Sequence, residues 1–222
     1  MRTLLTLMLC TAGLAAQTTS PKPDPLAPIT DTPGLPRVLI LGDSISIGYV
    51  LDARAALAGA ANVHRPKENC GPSTYGVQMV ESWLGKGKWD VIHFNFGLHD
   101  LKSMFDGYYQ VSPDDYERNL RRIVFRLKQT GARLIFATTT PVPEGNLSPP
   151  RLPADVVLYN NRALKVMKEN GVAVNDLYSF ALPHLGEWQL PANVHFKDPG
   201  SAALGKEVAR VIAEQLKAGK AK

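Results

Sequence analysis

Cysteine is nearly absent from this sequence: Cys10 and Cys70 are the two in 222 residues. If Cys10 leaves with a cleaved leader, Cys70 stands alone, no internal disulfide is possible, and the domain must hold together through its core. Metal and phosphate signatures are missing as well. The chain has His64, His93, His99, His184 and His195, but no HExxH and no paired-cysteine motif organises them, so no metal is expected. The glycines at 85, 87, 97 and 107 form no GxxxxGK[ST] loop, and no organic cofactor is called for. Charge is mild at +5, and the basic residues are scattered except for Lys217, Lys220 and Lys222. No aromatic residues alternate with a basic stripe, which argues against a nucleic-acid partner. No apolar run reaches the roughly 20 residues a membrane-spanning helix needs, so no integral membrane segment is expected after leader cleavage.

What is present begins with an export-type leader. Arg2 supplies positive charge, Leu4 to Leu14 is apolar, and Ala15 and Ala16 are small enough for cleavage. Residues 1–16 are therefore read as a signal peptide, and the protein as secreted or periplasmic. A lipoprotein site at Cys10 is poorly matched, with Leu9 before it. Residues 17–36 contain six prolines and no apolar period, and read as a linker. Residues 37–217 form the expected folded domain, with 218–222 a basic tail.

Hydrophobic residues at 45% and charged residues at 20% are globular values. From Arg37 onward, strand and helix patterns alternate. Arg37–Leu41, Val91–Phe96 and Leu134–Thr138 are short apolar runs of the kind buried on both faces. Val172–Val174 is a shorter strand candidate, and Ala61–His64 an edge candidate. Ser112, Pro113, Asp114 and Asp115 make a helix start, followed by Tyr116, Leu120, Ile123, Val124 and Leu127 at helical spacing, with Gly131 as a stop. Ala154–Asn170 reads as a helix closed by Gly171. A last helix carries Leu204, Val208, Val211, Ile212 and Leu216 on one face. The pattern implies an α/β fold, a three-layer α/β/α sandwich around a parallel sheet. Ligands of such sheets sit beyond the carboxyl ends of the strands. That rule selects Gly42-Asp43-Ser44, Gly97-Leu98-His99-Asp100 and, less directly, the loop carrying His195.

Ser44 follows a strand and opens a helix, so its hydroxyl, its own N–H and the helix dipole converge on one spot. Taken alone it reads equally as a helix cap. His195, on the loop entering the last helix, is placed to reach back over the sheet edge; a serine and a histidine from opposite ends of a domain are how hydrolase dyads are assembled.

Four blocks in order then resemble the SGNH/GDSL hydrolases, of the flavodoxin-like, three-layer type. Val38-Leu-Ile-Leu-Gly-Asp-Ser44 is similar to the block holding the nucleophile. Asn69-Cys-Gly-Pro-Ser73 is similar to the second, with Gly71 at the position whose N–H lines the oxyanion hole. Asp90 to Asp100 resembles the third, and Asn193-Val-His195-Phe the block that supplies the catalytic histidine. The resemblance implies Ser44 as nucleophile, His195 as general base, and an oxyanion hole built from Ser44, Gly71 and His99, with Asn95 and Asp43 as supporting candidates. Two departures stand out. His99 replaces the family's asparagine, and its neutral ring has one N–H to donate in its place. Ala192 replaces the aspartate three residues before the histidine; a backbone carbonyl near 192 is the preferred substitute partner for His195, ahead of Glu187 or Asp198, since Asp198 is suited to capping the last helix. The implied activity is hydrolysis of short acyl esters, acetyl above all, on a small molecule or carbohydrate, through an acyl-enzyme. A catalytically silent domain that binds glycan or another envelope component, and an acyltransferase on the same dyad, are the competing readings. The aromatics Tyr108, Tyr109, Trp83, Trp89 and Trp188 are weighed as cleft walls, with core packing the plainer explanation.

Overall fold

The computed structural model describes residues 23–104 and 106–220; the stretch read as a signal peptide and the first residues of the linker lie outside it. The described chain runs β1 (Arg37–Leu41), α1 (Ser44–Ala56), β2 (Asn62–His64), α2 (Ser73–Leu84), β3 (Val91–Phe94), α3 (Pro113–Lys128), β4 (Arg133–Ala137), α4 (Pro153–Asn170), β5 (Ala173–Asn175), α5 (Leu177–Ala181), α6 (Leu185–Trp188) and α7 (Asp198–Lys220). The strands form one parallel sheet in the order β2-β1-β3-β4-β5. Right-handed crossovers from a sheet growing in both directions put α1 on one face and α2, α3 and α4 on the other. α7 returns to pack along α1.

Local chemistry accounts for the element ends. In α3, Ser112 Oγ accepts from the Asp115 N–H, Pro113 leads, and Asp114 and Asp115 occupy the first turn. The helix stops at Lys128, short of Gly131, which at φ +75° makes the turn into β4 instead. α4 ends on Gly171 in the left-handed region. β3 leaves the ladder two residues earlier than its apolar run suggests, because Gly97 at φ +146° turns the chain outward; a Cβ there would collide with Thr139 Oγ1. α7 continues through Lys220, into the stretch read as a basic tail.

Residues 23–36 lie against the domain. Arg54 donates to the Pro25 and Ala27 carbonyls, and the Asn62 side chain bonds Thr32 and Leu35. Asp31 bridges Arg37 and His64. The core consists of the fully buried runs of β1, β3 and β4 between helix faces that include Tyr49, Val50, Tyr116, Leu120, Tyr159 and Val208. Gly205 decides how close the last helix sits: a Cβ there would be 2.7 Å from Tyr49 O and 2.6 Å from Asp52 Cβ. Only a bare backbone lets α7 rest on α1 at that distance.

Candidate active site

Strand order reverses at β1, between β2 and β3, and the crevice beyond these strands is where this fold places its chemistry. Asp43 follows β1 directly after Gly42. Its buried carboxylate accepts from the Ile45 N–H at 2.9 Å, capping α1. Burial pushes the Asp43 pKa up, against the pull of that bond and of the His195, Arg151 and Arg65 side chains. With Asp43 as cap, Ser44 becomes the first residue of α1, where the backbone N–H has no carbonyl one turn back to take it. Its position at the helix's positive end is thus fixed by its neighbour.

His195 arrives from the other end of the chain. The loop before α7 is tied down by Lys197 N–H to Trp188 O at 2.7 Å and Leu190 N–H to His195 O at 3.0 Å. The Ser44 hydroxyl lies 2.8 Å from His195 Nε2. On the far side of the ring, Nδ1 is 2.7 Å from Asn193 Oδ1, which also accepts from the His195 backbone N–H at 2.9 Å. Because that amide oxygen only accepts, Nδ1 carries the proton and Nε2 is left with a lone pair toward Ser44. The partner expected near residue 192 is therefore not a backbone carbonyl, nor Glu187 or Asp198, but a side-chain amide. Ala192 itself sits at φ +48° in the turn that aims Asn193.

His99 follows β3 and lines the same cavity as Ser44 and His195, a space of about 350 Å³. Lys102 Nζ is 3.0 Å from its Nδ1. An ammonium only donates, so Nδ1 accepts and the ring's N–H is Nε2. Burial, with the positive charges of Lys102 and Arg151 nearby, lowers the His99 pKa to about 4, keeping the ring neutral at physiological pH.

Two expected donors are not arranged as anticipated. The Gly71 N–H donates to Asn69 Oδ1 at 2.9 Å, in a side-chain turn that holds Gly71 at φ +59°, and Asn69 is the residue of that loop on the cavity wall. With Oδ1 engaged, the Asn69 amide N–H groups have no partner among the described residues. Asn95 donates to Ala137 O at 2.8 Å, bracing the β3 and β4 ends, and lines a separate void of about 10 Å³. Its amide is committed away from Ser44. Asn193, Asn69 and Arg151 had no assigned role in the sequence. An asparagine bonding a backbone N–H two residues on is a local signal that both Asn193 and Asn69 obey, but nothing local reveals that His195 Nδ1 shares the first of these oxygens.

The remaining candidates lie elsewhere. His93 is buried and bonded to Asn175 at 3.2 Å, His64 pairs with Asp31, and His184 stacks on Trp188. Among the described residues no three metal-ligating side chains gather. Cys70 is buried with its thiol pushed up to about 12, ruling it out as a nucleophile. Trp83 packs on Phe96, Trp89 lies under Arg37, and Tyr109 bonds Asp155; none of them lines the Ser44 cavity.

A doubly wound parallel sheet that brings a serine at a helix start within hydrogen-bond reach of a histidine from the closing loop has the arrangement used by serine hydrolases. The chain belongs to the GDSL-like lipase/acylhydrolase family, whose pattern matches residues 40–203. It is similar in fold to the lipase/acylhydrolase from Enterococcus faecalis, at 19% identity over 82% of this chain and 97% of that one, with a TM-score of 0.70. It is also similar to the acetyl xylan esterase AlAXEase (16% identity, 79% and 99% covered, TM-score 0.68) and to the acetylxylan esterase Axe2 of Geobacillus stearothermophilus (19%, 80% and 94%, 0.67). No curated protein matches the chain by sequence.

Proposed function

We propose that the protein is a serine esterase in which Ser44 attacks the ester carbonyl and His195 Nε2 takes the hydroxyl proton. The 2.8 Å contact between these two groups carries the reading. Asn193 holds the imidazole in its Nδ1–H form and stabilises the imidazolium that develops. Negative charge on the tetrahedral oxygen is met by the Ser44 N–H at the start of α1 and by His99 Nε2–H, with the Asn69 amide as a third donor in place of Gly71. His195 then gives its proton to the leaving alcohol, the Ser44 acyl ester forms, and a water deprotonated by the same ring releases the acid. Short acyl groups suit a cavity of this size. The acetylxylan esterases of similar fold, together with the leader read in residues 1–16, support an acetylated carbohydrate outside the cell as substrate.

The test is turnover of 4-nitrophenyl acetate by the purified protein and by Ser44→Ala, with labelling by a serine-directed phosphonate. Loss of turnover and of label in Ser44→Ala is expected. Equal rates in the two proteins would remove the reading. Adding a sugar alcohol as acceptor measures how much acyl group passes to a hydroxyl instead of water.

A further inference from the structure

We infer that the ester this protein processes carries a carboxylate, recognised by Arg151 on the wall of the Ser44 cavity with Lys102 on the wall of the adjoining space. The inference rests on Ser44 being that nucleophile and adds a substrate class to it. Arg151 is only 7% exposed and lines the Ser44 cavity. Its Nε donates to Leu98 O at 2.9 Å and its Nη1 to Pro149 O at 3.1 Å, both neutral carbonyls. Its Nη2 has no partner among the described residues. Arg65 is equally buried, yet directs Nε, Nη1 and Nη2 to the Pro66, Gly42 and Glu68 carbonyls and the Ser46 hydroxyl. Arg151 is thus a buried cation whose outer edge is left over, on a cavity wall.

No carboxylate among the described residues bonds it. Several surface arginines, namely Arg37, Arg118, Arg121, Arg126, Arg162 and Arg210, pair with acids. Among the described residues no acid lies within ion-pair distance of Arg151 or Lys102. Asp43 acts on both, and Asp100 on Lys102, only through space, and burial lowers both pKa values. Lys102 gives one donor to His99 and keeps two. Two partly desolvated cations with no ion-pair partner are costly unless a ligand supplies one. A carboxylate matches the planar fork of a guanidinium, and an ammonium beside it adds a point charge. The cavity also leads toward Lys102: a neighbouring space of about 500 Å³ shares Ser148 and Pro149 with the Ser44 cavity and has Lys102 on its wall. A substrate with its ester at Ser44 and an acid group further along fills both.

The acid group belongs either to the alcohol or to the acyl part, so two matched pairs of probes are needed, each compared by specificity constant. On the alcohol side, 4-acetoxybenzoate is set against its methyl ester. On the acyl side, 4-nitrophenyl hemisuccinate is set against 4-nitrophenyl butyrate. The expected result is a preference of about tenfold for the charged member of one pair at low ionic strength, shrinking with added NaCl. Because Arg151 also braces the loop carrying His99, absolute rates in variants are less informative than the charged-to-neutral ratio measured within each protein. That ratio should collapse in Arg151→Gln, fall in Lys102→Gln, and be partly kept in Arg151→Lys. No preference in either pair, or a preference that survives Arg151→Gln, overturns the inference. Calorimetric binding to Ser44→Ala of 4-acetamidobenzoate against its methyl ester, and of N-(4-nitrophenyl)succinamate against 4-nitrobutyranilide, reads the same site without turnover. Failure of every ester, charged and neutral, to be hydrolysed would sink the esterase reading, while the binding comparison still decides whether a carboxylate is held at Arg151.

Discussion

Asn193 is the residue whose removal tests the catalytic reading most directly. Its Oδ1 accepts two bonds from His195, one from the backbone N–H at 2.9 Å and one from Nδ1 at 2.7 Å. Replacing it with alanine removes the acceptor that selects the Nδ1–H tautomer and leaves the developing imidazolium with one bond fewer. A hydrogen bond to a charged group contributes about 1.5–3 kcal/mol, so the specificity constant with 4-nitrophenyl acetate should fall roughly 10- to 150-fold. That is well short of the roughly 10⁴-fold loss when a triad aspartate is replaced by asparagine, where the amide holds the wrong tautomer; here Oδ1 faces Nδ1 and alanine removes one hydrogen bond without enforcing that tautomer. Asn193→Asp keeps both acceptor bonds and adds charge. It should retain activity, and since an adjacent anion favours the protonated ring, the acid limb of its pH–rate profile should move to higher pH. Circular dichroism and thermal melting separate these effects from a disturbed loop. An Asn193→Ala enzyme that folds normally and stays within twofold of the parent would refute the reasoning.

Three further outcomes follow from the same geometry. His99→Phe keeps the ring but removes its N–H, and should lower kcat by roughly 10²- to 10³-fold with little change in KM, as for loss of an oxyanion donor; a change confined to KM would place His99 in binding alone. Gly205→Ala puts a methyl against Tyr49 O and Asp52 Cβ, at 2.7 and 2.6 Å, and should destabilise the protein by about 1–3 kcal/mol in urea while also reducing turnover, because α7 sets the position of His195; unchanged stability would mean the helices slide apart freely. Burial lowers the His93 pKa from 6.5 to about 4, so the contribution of the neutral ring is intact above pH 6.5 and is lost as pH falls through 4. His93→Phe should remove up to about 3 kcal/mol of that acid sensitivity, and identical pH–stability curves for the two proteins would contradict it.

Much of the architecture was legible because it rests on short-range rules. The apolar runs at Arg37–Leu41 and Leu134–Thr138, and the start of α3 at Ser112-Pro113, report burial on both faces and local capping. Their ends were less legible: β3 stops at Phe94 although the apolar run continues to Phe96, since what ends it is a glycine conformation packed under Thr139. The site divides in the same way. Ser44, His99 and His195 follow from where strands and loops must end. The duties of Asn193, Asn69, Asn95 and Gly71 do not, because an amide's role depends on which partner is within hydrogen-bond reach.

The order of residues alone thus determined a parallel α/β domain with a serine at the first strand–helix junction and a histidine on the closing loop, since periodicity and turn chemistry act over a few neighbours. Folding decided what those groups touch. A hydroxyl and a ring 151 positions apart come into hydrogen-bond contact through the packing of α7 on α1, which Gly205 allows, and the tied loop before α7. The tautomer of His195, the neutrality of His99 and the absence of an ion-pair partner for Arg151 among the described residues arise there too, because each depends on burial and on partners brought in from distant segments.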